Sequence, residues 1–532
     1  MRTLMVSLLL AGSLLAMPLV HGAELADEQV LHKGNGAEPQ TLDPHKAEGV
    51  SSSNIMRDLF EGLTSETPDG DVIPGAAESW DISDDGRKYV FQIRKDARWS
   101  NGDPVTAHDF VYGLRRCVDP LTASKYSQIL APIKNAEAVV AGELPADQLG
   151  VRALDDHTLE VTLESATPYF LGLLNHASTY PVHKPSVERH GVGFTRPGNL
   201  VSNGAYVLKD WTVQSHITLV RNPEYWDNDD TVIDSVIYHA TEDLSSELKR
   251  FRAGELDWTY EVPGSQVEWI KKNMPEALKV STYLGIYYFG FNTTKPPFKD
   301  NQPLRQALAM AIDRKVITDK IVKAGEVPAY GYVPPGIPGY ESQQAEWANW
   351  TREKRFEEAR RLYAEAGYSR ENPLKVEIIY NTHENHKKVS LAVAAMWRSV
   401  LGVDYTLINQ EWKVFLQTRK LKTDTEVFRA GWIGDYNDPY TFLELLHSKH
   451  GINDSGYNSP EYDQMLAKIA TENDPDKRRQ LMQAAERKIL SDLPVMPIYY
   501  YVAKHMKQPY VDGWAPNLMN HHYTKNWRIL KH

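Results

Sequence analysis

Gln302–Lys323 reads QPLRQALAMAIDRKVITDKIVK. Leu304, Leu308, Ala311, Ile312, Val316 and Ile317 recur at helical spacing, which predicts one amphipathic helix with a single apolar stripe. Further along, Glu353–Ala366 predicts a charged amphipathic helix, and Gly367 is placed to end it as a left-handed C′ residue. Glu461–Leu490 holds another long helical stretch. Strand signals are interspersed with these helices. Lys88–Arg94 (KYVFQIR) alternates polar and apolar residues as a half-buried strand does, and Thr158–Thr162 (TLEVT) and Ile217–Arg221 (ITLVR) repeat the pattern. The mixture predicts an α/β fold, sheets covered by helices. Val333–Tyr340 (VPPGIPGY) predicts a rigid surface loop. No internal repeat or low-complexity linker separates two halves, which suits domains built by several crossings of the chain.

The first residues set the compartment. Arg2 is followed by an almost wholly apolar run from Leu4 to Val20, with Val20 and Gly22 suited to the −3 and −1 positions of a cleavage site. Residues 1–22 therefore read as a removable secretion signal, with a retained N-terminal anchor as the alternative. No cysteine follows the apolar run, so lipid attachment there is excluded and the mature protein is expected free in a periplasm. No later run is apolar and long enough to cross a bilayer. The 532 residues exceed what one hydrophobic core usually organises, so two or three domains are expected. A net charge of −11 argues against a general nucleic-acid binder. Cys117 is the only cysteine, so no intramolecular disulfide forms. Its segment His108–Cys117 looks helical, and a packed small hydrophobe is expected there rather than a nucleophile.

Enzyme signatures are missing. His383-Glu384-Asn385-His386 has the spacing H-E-x-H, not the H-E-x-x-H that stacks two imidazoles one turn apart on a helix, and it follows the strand-like Val376–Tyr380, so a turn is expected. Gly191-Val192-Gly193 lacks the third glycine of a dinucleotide loop. His521-His522 reads as a weak metal site or as a solvated or aromatic-packed pair. No catalytic residue, metal or cofactor is assigned.

Four groups of segments, in order along the mature chain, resemble the extracellular solute-binding proteins that bind peptides for ABC importers. They are Leu42–Gly49 (LDPHKAEG) with Arg57–Leu63 (RDLFEGL); Ala77–Trp80 (AESW), Ser83–Gly86 (SDDG) and Trp99–Val111 (WSNGDPVTAHDFV); Asn203–Tyr206 (NGAY) with Arg221–Trp226 (RNPEYW); and Phe291-Asn292 with Arg305–Arg314 (RQALAMAIDR). Asn409–Phe415 (NQEWKVF), Arg419 and Arg429–Asn437 (RAGWIGDYN) sharpen the likeness to the family's oligopeptide binders, with Asn381-Thr382 and His386-Lys387-Lys388 beside them. The resemblance implies a periplasmic-binding-protein-like fold of three lobes: residues 24–60, 186–284 and 502–532; residues 61–185; and residues 285–501. Two chain crossings would form the hinge, and ligand would be enclosed between the first and third lobes. It further implies a monomer without a membrane anchor. This monomer would capture short peptides and deliver them to a membrane-embedded ABC permease. A murein-peptide binder, or a chaperone or signalling receptor using the same cleft, are the rival readings.

A site for peptides must hold an ammonium, a carboxylate and a repeating backbone while ignoring side chains. The resemblance implies that an extended segment Glu48, Gly49, Val50 and the segment Gly431, Trp432, Ile433 flank the ligand like neighbouring strands. Gly431 would let another backbone approach closely. Asp435 would meet the ligand's ammonium, with a turn-capping role as the alternative. Arg429, Arg419 and His386 would serve carboxylates of ligands of different length, a structural ion pair being the alternative for Arg419. Trp412, Trp432 and Tyr126 would line side-chain pockets, with plain core packing as the alternative. There are two departures from the family pattern. The cysteine pair of enteric relatives falls at Gly285 and Ile433, and a lysine that relatives use for longer ligands falls near Val322 and Lys323.

Overall fold

The computed structural model describes residues 24–532, so the expected signal segment lies outside the described residues. Three sheets carry the fold. In the first, Val30–Gly34 pairs in parallel with Ser235–His239, followed by His216–Arg221 and Tyr206–Thr212 in antiparallel order. Alternation along these strands turns Val236, Tyr238, Ile217 and Leu219 to one face. There they form a core with Ile55 and Leu59 of the helix Val50–Leu59.

The second sheet is wholly antiparallel, in the order Ala77–Ile82, Lys88–Ile93, Thr158–Thr162, Val151–Asp155. The KYVFQIR alternation holds: Tyr89, Phe91 and Ile93 are buried. The helix Ala107–Val118 covers them, started by a capping box between Thr106 and Asp109. Cys117 is fully buried in this core, its thiol pushed up to about 12 by burial, and it is a packed hydrophobe as expected.

The third sheet has six strands, in the order Val327–Pro328, Val495–Met506, Leu278–Phe291, Val427–Ile433, Lys375–Asn381, Asp404–Gln410. The last three run parallel to one another and the other pairings are antiparallel. Apolar clusters cover both faces, so its central strands carry long buried runs, whereas the edge strand Asp404–Gln410 is not buried. Leu278–Phe291 is buried throughout from Leu284 onward but only half-buried before it. Its ladder with Val495–Met506 is interrupted between Thr282 and Ile286.

Three elements depart from expectation. Gln302–Lys323 is not one helix: Gln302–Met310 stops, a single α-helical turn resumes at Arg314–Val316, and the wider π-helical turn Ile317–Val322 follows it. The cause is Arg314, which is 1% exposed. Its guanidinium, denied water, donates instead to the carbonyls of Ala329, Pro497 and Ala309. Glu461–Leu490 splits into Pro460–Thr471 and Pro475–Asp492, because Pro475 has no N–H to continue a helix and Asp474 caps the new start. Val333–Tyr340 is only partly a surface loop. Val333 and Ile337 are buried, and Glu486 accepts from the N–H groups of Tyr332 and Val333 and from the Tyr340 hydroxyl. Arg352–Glu365 forms as the pattern predicts, and Gly367 follows it at φ 89°.

Candidate functional site

A cavity of about 300 Å³ lies between the first sheet's body and the six-stranded sheet, and all twelve expected site residues line it. Its spine is Val427–Ile433. One edge of this strand pairs with Leu278–Phe291 along its whole length. The other edge pairs with Lys375–Asn381 only at Val427 and Phe428. From Ala430 to Ile433 that second edge has no partner strand among the described residues, so main-chain groups are available to a guest. Gly431 is required here: a Cβ would lie 2.7 Å from the Tyr501 hydroxyl. Opposite it stands Gly49, at φ 90°, with Trp412 so near that a Cβ would meet its ring at 3.1 Å. Val50 corrects the expectation of an extended segment, since it opens the helix Val50–Leu59 and only Glu48 and Gly49 precede it.

Asp435 follows the spine strand. Its N–H donates to Thr441 Oγ1 at 3.0 Å, while its carboxylate caps neither Tyr436 nor Asn437. The group nearest its charge is His176, 3.5 Å away, which burial pushes down to about 3 and so leaves neutral. Burial, reinforced by the negative charge of Glu444, holds the Asp435 carboxyl well above the usual carboxylate range, and Arg57 opposes this from a distance. The turn-cap alternative therefore has no bond behind it, and a part-buried acid stands without a counter-charge.

The mirror arrangement surrounds Arg429, which is 8% exposed. It donates to the Tyr501 hydroxyl at 2.6 Å and to Asn381 Oδ1 at 3.4 Å, and lies 4.8 Å from the Tyr287 ring centre. Its Nε has no acceptor, and the charges felt around it are tyrosines, not carboxylates. Arg419 differs: its Nε and Nη2 bond Asp454 Oδ2 at 2.8 and 2.5 Å. His386 stacks on His383 at 4.3 Å, and burial followed by the Arg429 charge drives its pKa far down, so it is neutral, with a buried Nδ1 that has no hydrogen-bond partner. Of the three expected carboxylate receptors, Arg429 alone presents a positive charge that nothing else neutralises.

Tyr126 stacks with Trp432 at 6.2 Å and lies tilted against His176 at 4.6 Å, and Trp412 stacks with Phe415 at 6.2 Å. Glu48 is held above its usual range by burial, against the pull of Arg419 and Lys125. His383 does not sit in a turn; it caps the helix Glu384–Leu401 and meets Glu261 at 3.1 Å. Among the described residues no group of three or more His, Cys, Asp or Glu is placed to hold a metal. His521 pairs with Glu66, and His522 packs against Trp258 and Trp514. The positions Gly285 and Ile433 are cross-strand partners, and a Cβ on Gly285 would lie 2.4 Å from Ile433 Cδ1. Val322 is fully buried outside the cavity.

Sequence reading missed several lining groups. Arg57 projects from the first helix with a single 3.3 Å bond to Asn54 and a buried Nε lacking an acceptor. Lys504, 2% exposed, bonds Glu261 at 2.9 Å and Glu326 at 2.6 Å. A lysine inside the apolar run Val495–Met506 was a signal that could have marked it.

A family model described as bacterial extracellular solute-binding proteins, family 5 Middle, matches residues 71–454. The periplasmic oligopeptide-binding protein OppA of Escherichia coli is 45% identical over 98% of this chain and 97% of its own. The Haemophilus influenzae OppA complex with RPPGFSPFR superposes with a TM-score of 0.93 at 40% identity, covering 96% of this chain and all of that one. The E. coli murein tripeptide-binding protein MppA gives 0.93 at 40% identity with the same coverage, whereas its unliganded open form, covered to 99%, gives only 0.67. The arrangement of this molecule is thus unlike that open form. Sequence, fold and cavity agree, and the chain belongs to the bacterial extracellular solute-binding proteins, family 5.

Proposed function

We propose that this chain is the periplasmic binding component of an ABC-type importer and captures short peptides by their backbone and terminal charges. The observation that carries the reading is a carboxyl and a guanidinium, the part-buried Asp435 and the buried Arg429, each without an ionic partner, flanking an unpaired strand edge. A peptide backbone adds to the edge at Gly431–Ile433, and its ammonium and carboxylate neutralise the two ends. Five residues separate the two groups, with about 13 Å of strand from Arg429 to Ile433 and a bend beyond it; this suits a peptide of a few residues. Side chains project into the aromatic and watery walls, which tolerate variety.

The three lobes expected from the family are part of the proposal, with closure by bending where the two long strands lose register between Thr282 and Ile286. So are secretion through residues 1–22, action as a monomer, and hand-over to a membrane permease. Among the described residues no helix is long and apolar enough to cross a membrane. Binding of murein peptides, which carry additional carboxylates, is the weaker reading because Arg419 is already neutralised by Asp454. Calorimetry with free-ended tri- to pentapeptides, followed by mass spectrometry of the recovered ligand, tests the proposal. We expect saturable heat and intact peptide. Absence of heat with every peptide rejects peptide capture, and recovered fragments reveal a peptidase.

A further inference from the structure

Residues 61–185 meet the six-stranded body near Asp435 without sharing a strand with it, since no strand of their sheet pairs with the six-stranded sheet. Tyr169 lies flat on Tyr436, ring centres 4.6 Å and planes 4° apart. Arg478 sits 5.1 Å from the Tyr169 centre and is itself fixed by bonds of 2.8 and 3.0 Å to Asp438. Tyr436 is 2% exposed and belongs to the apolar core formed by residues 63–174, although its chain position is far beyond them. Lys125 Nζ donates to the Gly451 carbonyl at 2.7 Å, and Ser165 donates to that of Ala470. Gly451 permits this approach, because a Cβ there would be 2.6 Å from the Lys125 carbonyl oxygen.

Tyr436 is the residue next to Asp435, so holding its ring fixes the backbone from which that carboxylate projects. Contacts of this kind, made by side chains between bodies with separate sheets, form and break as the bodies move. A contact formed only in the closed molecule slows ligand escape and leaves the open molecule unchanged.

We propose that residues 61–185 act as a clasp on the six-stranded body, with Tyr169 as the positioning residue that presents Asp435 to a ligand's free amine. This rests on the peptide reading above. The test compares trialanine with N-acetyl-trialanine on the native protein and on Tyr169→Ala, Tyr169→Leu and Tyr169→Phe. Among the described residues the Tyr169 hydroxyl makes no hydrogen bond, so Tyr169→Phe keeps the stack and should match the native protein. Tyr169→Ala and Tyr169→Leu should release trialanine about tenfold faster. Association should stay within about twofold, and the preference for the free amine should narrow. Ligand-free thermal midpoints should move by no more than about 2 °C. Native release rates and native amine preference in both variants overturn the clasp, as does a Tyr169→Phe protein as impaired as Tyr169→Ala. A ligand-free midpoint that falls with the affinity also overturns it, because the contact is then permanent. If the native protein binds neither peptide, the peptide reading falls and the clasp with it; native binding with silent variants sinks the clasp alone.

Discussion

The two ends of the cavity solve opposite problems in the same way. At one end an acid, Asp435, lies part-buried beside a neutral histidine; at the other a guanidinium, Arg429, is buried among tyrosine rings. Arg419, in the same cavity wall, shows what an ordinary buried charge looks like, since it is locked to Asp454. Burial of a charge costs several kcal/mol unless a partner offsets it. On the proposed reading a peptide's termini supply the partners that these two groups lack, and each end can be broken separately.

The largest effect is expected at the amine end. Asp435→Asn should lower affinity for a free-amine tripeptide by about a hundredfold or more, since removing one partner of a buried charge pair costs roughly 2–5 kcal/mol. N-acetylation of the peptide should cost the native protein a similar amount, and the two losses should not add. A double-mutant cycle by calorimetry decides this; penalties that sum would make Asp435 a structural residue. At the carboxylate end, Arg429→Gln should cost about thirtyfold, with no further loss when the peptide is C-terminally amidated. Additive losses there would show that the carboxylate binds elsewhere.

Acidity should affect the two ends differently. The Asp435 carboxyl is held above its usual range by burial, so its protonated form persists to higher pH than that of an exposed carboxyl. Only the ionised form meets an ammonium. Affinity should therefore fall as pH drops through this titration, by at most about tenfold per pH unit, and binding should release a proton that calorimetry in buffers of different ionisation enthalpy detects. Asp435→Asn should abolish both. Arg429 stays charged throughout, so Arg429→Gln should keep the native pH profile. A flat profile in the native protein would place the ionised acid in a better-solvated setting.

The smaller effects sharpen the contrast. Arg419→Met should leave tripeptide affinity within about threefold yet destabilise the fold by about 3 kcal/mol, because Asp454 is left buried alone. Thermal unfolding beside calorimetry separates these outcomes, and a large loss of affinity would restore Arg419 as a receptor. Cys117→Ala should cost about 1 kcal/mol of stability and leave binding within a few-fold.

Much of this was legible in the chain. The alternation in KYVFQIR, TLEVT and ITLVR marked real strands because one face of each meets an apolar core. The site residues were named through the family resemblance, and the cavity gathers them. What eluded the sequence were events decided by tertiary contact. Nothing local says that Arg314 will be buried and take carbonyls at the end of its own helix, that Asp454 will neutralise Arg419, or that Val50 will start a helix. Arg57 and His176 reach the cavity from distant parts of the chain, and a lone charged or imidazole side chain carries no periodic signal of its own.

The close fit of Ile433 against Gly285 also fixes how the protein relates to oxidants. At this cross-strand position the Ile433 side chain fills the space over Gly285, and no sulfur is present. The binding strand is therefore secured as soon as the chain folds, without a thiol oxidase. With Cys117 sealed in a core, no sulfur is available for exchange. Dithiothreitol should leave peptide affinity and thermal midpoint unchanged, and the molecule should emerge equally competent from an oxidising or a reducing environment.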